Sequence, residues 1–353
     1  MATVSYKCPN CGGGLKFDPS SQKFTCEYCM SAFTEEQAKQ FDMQTVETTE
    51  TPVPDTAERE GDAGAVVYHC PSCGAEIVTD ETTAASFCYY CHNPVVLSGR
   101  LSGEYLPDYV LPFAVDKKKA EEIFLNWIGK KHFVPRAFFS REQIEKFSGV
   151  YFPYLMYSCQ VDGSVTAEAE KLRQWTAGNT RYTEHKSFQV ERQGSLDVRH
   201  VTRNALKKAN HELVEGVLPF EMEMLTPFRM EYLSGFQAEK RDMESQSFES
   251  EVREEVCSYT VQSLTASMND YSSVKVREQN TRIRDPKWKY ALLPVWALTY
   301  RDKKDGKVYY FAMNGQTGKI CGRLPVDKGK LAVLFLSVFL PVFAIAAIGG
   351  WFL

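Results

Sequence analysis

The chain has 353 residues, 44% hydrophobic and 24% charged, the composition of a folded protein with room for two or three domains rather than of a disordered one. Its formal charge of −4 hides an asymmetry: residues 1–103 hold 6 Lys/Arg against 14 Asp/Glu, a net of −8, whereas residues 104–330 hold 35 against 31, a net of +4. So acidic an N-terminal third argues against a nucleic-acid partner, because affinity for nucleic acid rests on Lys and Arg displacing counterions from phosphate.

Met1 to Lys7 lacks an apolar stretch ahead of the first cysteine, so no secretory signal is read there. The cysteine-rich end is expected in the cytosol, where thiols stay reduced and paired cysteines serve as metal ligands rather than disulfides. Cys8-Pro-Asn-Cys11-Gly is followed, after 14 intervening residues, by Cys26-Glu-Tyr-Cys29. Cys70-Pro-Ser-Cys73-Gly is followed, again after 14, by Cys88-Tyr-Tyr-Cys91, the whole unit repeating at an offset of 62. A Cys-x-x-Cys pair on a tight turn sets two sulfurs along one edge of a tetrahedron, about 2.3 Å from the metal. Pro after the first cysteine and Gly after the second suit that turn. Four thiolates per site leave no position open for water or substrate, so both sites are read as structural Zn²⁺ sites. Residues 1–33 and 66–103 are thus expected to be two zinc ribbons. His69 and His92, next to ligands, are read as bystanders.

Between them, residues 34–65 carry 9 acidic residues and 2 basic ones, and are expected to be a disordered linker that lets the first ribbon move independently of the second. A short helix from Thr34 to about Phe41 is an alternative, with Thr34 and Gln37 as a capping box.

Residues 104–326 read as a mixed α+β domain. Asp116 is placed to cap a helix whose apolar face is Ala120, Ile123, Phe124, Trp127 and Ile128. A second short helix is expected from Ser140, with Gln143 closing a capping box and Phe139 stapled onto Ile144. From Val150 to Ala169 an apolar run passes into alternation, which predicts a long strand. Further strands are expected near 186–190, 196–202, 272–283, 290–300 and 307–313. A helix is expected over 245–268 with Phe248, Val252, Val256 and Tyr259 on one face, and Asn314-Gly315 should turn into a last strand near 319–322. The dense aromatics are expected in the core. Gln316-Thr-Gly-Lys319 looks like the end of a phosphate loop, but Met313 stands where the first Gly is needed, so it is read as a β-turn. The chain has no Gly-x-Ser-x-Gly, His-Glu-x-x-His or dinucleotide fingerprint, and His132, His185, His200 and His211 are scattered. Neither an enzyme nor a small-molecule substrate is expected.

Leu331 to Leu353 is an uncharged run of 23 residues, about 35 Å as a helix and enough to cross a hydrocarbon core of about 30 Å. Lys319, Arg323, Lys328 and Lys330 precede it and place that flank in the cytosol. Residues 327–353 are therefore expected to be a single-pass transmembrane tail anchor in the cytoplasmic membrane, the N-terminus cytosolic.

The paired ribbons, Tyr232-Leu-Ser-Gly-Phe236, Leu293-Pro-Val-Trp296 and Phe311-Ala-Met-Asn-Gly-Gln-Thr-Gly-Lys319 ahead of a terminal span resemble the bacterial TFIIB-type zinc-ribbon membrane proteins. The resemblance implies association with envelope-stress machinery, through partners such as PspA-like and SPFH-domain proteins. A membrane-tethered scaffold that recruits cytosolic proteins is the leading expectation, and a nucleic-acid-binding ribbon protein held at the membrane is the alternative.

Overall fold

The computed structural model describes residues 2–34, 43–47, 66–88, 90–135, 147–301 and 307–351, with Gln37, Phe138, Ser140 and Ile144. In chain order the strands are β1 (Ala2–Tyr6), β2 (Leu15–Asp18), β3 (Lys23–Cys26), β4 (Ala32–Phe33), β5 (Met43–Glu47), β6 (Val66–His69), β7 (Glu76–Thr79), β8 (Thr83–Phe87) and β9 (Pro94–Leu97). They continue as β10 (Tyr109–Val110), β11 (Ser148–Ala177), β12 (Thr180–Asn204), β13 (Thr226–Pro227), β14 (Gln237–Glu239), β15 (Ser273–Arg301), β16 (Val308–Asn314) and β17 (Ile320–Gly322). The α-helices are α1 (Lys117–Gly129), α2 (His211–Gly216), α3 (Glu249–Ala266) and α4 (Lys328–Trp351). The chain divides into two compact units, the first made of Met1–Pro153, Lys208–Lys240 and Leu292–Leu353, the second of Tyr154–Lys207 and Arg241–Ala291.

In the first unit, β2, β3 and β4 form the small sheet of the first cysteine region, and β6 and β7 a hairpin in the second. β8 and β9 form another hairpin, and β1 pairs antiparallel with β9, Thr3 opposite Leu97 and Val4 opposite Val96. On its other side β1 pairs with β5. The stretch 34–65 is therefore not open tether throughout: Met43–Glu47 is a strand, and β1 links the two cysteine regions through backbone hydrogen bonds. The reason is that an isolated β1 would leave donors and acceptors along both edges, and pairing on both sides satisfies them. At Thr34 the capping box is present: the Thr34 amide donates to Gln37 Oε1 at 2.9 Å and the Gln37 amide to Thr34 Oγ1 at 3.5 Å. The helix expected to follow it lies outside the described residues, as does most of the one expected from Ser140.

α1 forms as its sequence dictates. Asp116 accepts from the Lys119 amide at 2.8 Å as N-cap, and Ala120, Phe124 and Ile128 are buried. Phe124 meets Phe311 of β16 at 4.7 Å between ring centroids and Phe147 at 5.6 Å. Beside them Phe113 stacks on Phe236 at 4.2 Å and meets Trp296 at 5.1 Å. Each such ring contributes roughly 1.5–3 kcal/mol by leaving water; these aromatics are core, as expected, whereas Tyr28, Tyr90, Trp175, Tyr182 and Phe188 are exposed.

In the second unit β11 and β12 form one antiparallel hairpin, turning at Gly178 with φ +61°. The two strands expected near 186–190 and 196–202 are one strand, as are those near 272–283 and 290–300. α3 lies over the hairpin with Val252, Val256, Thr260 and Leu264 buried. Tyr259, expected on that face, is instead exposed. The contact row advances by four residues at each step from Val252, so Thr260 and Leu264 continue it and Tyr259 falls to the side. Thr260 Oγ1 donates to Val256 O at 2.8 Å, which lets a hydroxyl sit in the row.

α4 begins in the first unit. The Asp327 carboxylate accepts from the Gly329 and Lys330 amides at 3.0 and 3.2 Å, and Lys330 Nζ donates to Val134 O at 2.8 Å. Lys328–Ile345 has mean hydropathy 1.9 and no residue buried against the protein. This helix is long and apolar enough to cross a membrane.

Candidate metal centres

Four chain segments build the two centres, and all four fold the same way. The first cysteine of each donates its amide to the carbonyl five residues on: Cys8 to Gly13 at 2.7 Å, Cys26 to Ser31 at 2.9 Å, Cys70 to Ala75 at 2.8 Å and Cys88 to Asn93 at 3.0 Å. Its own carbonyl accepts from the amide four residues on, that of Gly12, Met30, Gly74 or His92. This closes a loop whose last residue must take positive φ, measured as +74° at Gly12, +59° at Met30, +75° at Gly74 and +56° at His92. Glycine is free to do so. Met30 and His92 are held there by the loop, and His92 is exposed, so it remains a bystander. His69 pairs with Glu76 at 3.8 Å, likewise outside the cluster.

The loops aim backbone amides at sulfur. Cys8 accepts from the Asn10 and Cys11 amides, Cys70 from those of Ser72 and Cys73, and Cys88 from those of Cys91 and Tyr90. The second cysteines accept from the amide two residues on: Cys11 from Gly13, Cys29 from Ser31 and Cys91 from Asn93. Burial raises the Cys8 and Cys70 thiols above their ordinary value, and the amide cradles work against it by favouring thiolate. At Cys29 the Ser31 hydroxyl, 3.2 Å away, and then the Ser31 amide hold the thiol down to about 6. Asn10 Nδ2 donates to the same hydroxyl oxygen at 2.8 Å.

Each loop pair converges. Cys8 Sγ is 3.5 Å from Cys29 Sγ and Cys11 Sγ 3.4 Å from Cys26 Sγ; in the second centre Cys70–Cys91 and Cys73–Cys88 are both 3.7 Å. Within each group all four sulfurs lie within 4.8 Å of one another. A tetrahedral ion with metal–sulfur bonds of about 2.3 Å needs sulfur–sulfur edges of about 3.8 Å. The residues fit it, and each group of four can hold one metal ion. Cys8, Cys26, Cys70 and Cys88 are buried, whereas Cys11, Cys29 and Cys73 are exposed. Cys159, Cys257 and Cys321 join neither group.

Supporting residues that the spacing does not reveal brace the second ribbon from within and dock the first. Arg100 is the one Lys or Arg between Val66 and Gly103, and it is buried. Its Nε donates to Tyr68 Oη at 2.7 Å, and its guanidinium to the carbonyls of Thr83 and Asp80. A lone arginine in a stretch without other cations is the signal for it. The first ribbon is docked by the Ser20 hydroxyl donating to Asp116, by Gln22 Nε2 donating to Phe113 O at 2.8 Å, and by Phe17 edge-on to Tyr232 at 5.2 Å.

The comparisons with known proteins bear on the chain as a whole. It is 32% identical over 335 residues to YdjG of Bacillus subtilis (strain 168), described as uncharacterized, with 95% of this chain and 94% of that protein covered. The chain belongs to the YdjG family. The match runs almost end to end, so membership of the YdjG family rests on the whole chain rather than on one module. No protein-family profile matches it, and no solved structure does.

Proposed function

We propose that the protein is a non-enzymatic scaffold, fixed by α4 to the cytoplasmic membrane, with two structural Zn²⁺ ions in ribbons of the TFIIB type that present binding surfaces to cytosolic proteins. The observation that carries it is the pairing of two closed four-cysteine centres with an apolar helix rooted in the same unit. A site with four protein ligands shapes the chain and leaves no coordination position for a substrate. Lys319, Arg323, Lys328 and Lys330 on the near side of the helix favour a cytosolic flank. The resemblance to TFIIB-type zinc-ribbon membrane proteins implies envelope-stress machinery, with PspA-like and SPFH-domain partners. The acidic second ribbon, whose single arginine is buried, favours protein over nucleic acid as the partner.

Two measurements test it. Affinity capture of the full chain from detergent-solubilised membranes should recover the same cytosolic partners with metal bound and lose them after chelation; a capture with no reproducible partner in either state defeats the scaffold reading. Deleting residues 327–353 should move the protein from the membrane fraction to the supernatant, and a truncated chain that still sediments with membranes defeats the anchor.

A further inference from the structure

Past Ala169 the face of β11 that packs on α3 becomes exposed, with the Lys171 ammonium 5.0 Å from the Tyr271 ring centre, and its residues change character. Val165, Ala167 and Ala169 are buried with Leu264 and Met268, and the next residues on that face are Lys171, Arg173 and Trp175. Trp175 stands opposite Tyr182 of β12, the rings stacked with centroids 5.6 Å apart and planes 12° apart. The two are 46% and 45% exposed. The Arg173 guanidinium lies 5.9 Å from the Trp175 ring centre. Residues 171–183 hold three cations, Lys171, Arg173 and Arg181, and no carboxylate; Glu184, His185 and Lys186 follow, with Glu184 and Lys186 paired at 3.2 Å. From Ala169 to Ala177 the strand runs on for about 26 Å.

We infer that the tip of the β11–β12 hairpin, with Trp175 and Tyr182 on one face beside Lys171 and Arg173, and Arg181 on the other face, is a contact for an anionic lipid surface. Amphipathic rings gain at the boundary between headgroups and acyl chains, where an apolar body and a polar edge are both satisfied. Cations beside them gain from anionic headgroups; Glu184, the carboxylate opposite Arg173 on β12, is paired with Lys186 at 3.2 Å, and the hairpin end keeps an excess of positive charge. A nucleic-acid base would have to pry apart rings already stacked on each other, whereas a lipid interface receives the pair as it stands. The inference rests on the membrane reading of α4: a chain held at a bilayer converts a weak tip contact into an intramolecular one.

The test uses the full chain reconstituted in phosphatidylcholine vesicles, with and without a minor fraction of phosphatidylglycerol, the lipids brominated near the headgroup so that they quench nearby tryptophan. The share of fluorescence due to Trp175 is the difference between the parent and Trp175→Phe; that due to Trp351 is the difference from Trp351→Phe. The Trp175 share should be quenched in the anionic vesicles and recover with salt. Changing Arg173 and Arg181 together to Gln should weaken tip engagement roughly 30-fold at low salt. If Trp351 is quenched and Trp175 is not, the tip contact is wrong and the anchor stands. If neither is quenched, the anchor fails and the tip contact with it. Equal quenching of Trp175 without anionic lipid, unchanged in the arginine variant, overturns the charge assignment, and shielding of Trp175 by single-stranded RNA but not by vesicles overturns the choice of lipid.

Discussion

The cysteines within each centre are unequal. Cys8, Cys26, Cys70 and Cys88 sit under the ribbon sheets with two amides aimed at Cys8, Cys70 and Cys88, and their partners sit at the rim. Changing Cys26 to Ser should remove one metal ion per chain by elemental analysis while Cys159→Ser, outside both clusters, leaves the content unchanged. Retention of the full metal content by the Cys26 variant would overturn the assignment of the first centre. Asn314 is the other demanding position. It is fully buried, its Nδ2 donates to the carbonyls of Val217 and Pro219 at 3.0 and 3.1 Å, and its Oδ1 accepts from the Gln316 and Thr317 amides, both at 2.9 Å. Asn314→Ala strands these groups, each at about 1–3 kcal/mol, so urea denaturation should show a loss of at least about 2 kcal/mol. The ligands themselves were legible because a duplicated spacing has one chemical use. Met30 and His92 were not, since a forced positive φ follows from surroundings that no local pattern encodes, and Arg100 was marked only by its isolation among residues without a cation.

The Asn314–Lys319 turn is built like a metal loop without a metal. The Asn314 amide donates to Lys319 O at 2.8 Å, the Gly318 amide returns to Asn314 O at 3.0 Å, and Gly318 takes φ +74°. The Asn314 side-chain oxygen occupies the place that sulfur holds in the ribbons. The phosphate-loop likeness there thus resolves into a turn, for the reason given by Met313. Across the hairpin of the second unit, Gly163 lets α3 approach: a Cβ there would lie 2.7 Å from Thr260 Cγ2 and 2.9 Å from Leu264 Cδ1. Gly163→Val should cost about 1–3 kcal/mol by the same assay, whereas Gly129→Ala, which meets nothing within 4 Å, should not destabilise the fold. α1 and β11 were readable from capping and alternation. The merging of short predicted strands into β12 and β15 was not, because Glu191, Arg192 and Gly194 broke the pattern on a strand that is mostly exposed.

Joining the first strand of the chain to a strand roughly ninety residues later makes the two cysteine regions answer to each other. Losing metal from the first centre should therefore loosen β9, and Cys26→Ser should speed amide exchange at Val96 and Leu97, read by mass spectrometry. Exchange there at the parental rate would show that the ribbons open separately. That pairing was invisible in the sequence, since period-two alternation marks a strand without naming its partner. It also sets a timetable during translation. With synthesis at about 5–20 residues per second, β1 leaves the ribosome roughly 5–20 s before β9 exists to receive it. For that interval β1 offers one unclaimed edge to any passing polypeptide, the other being open to β5, which makes the stretch of codons from β1 to β9 the place where chaperone cover or metal supply would matter most.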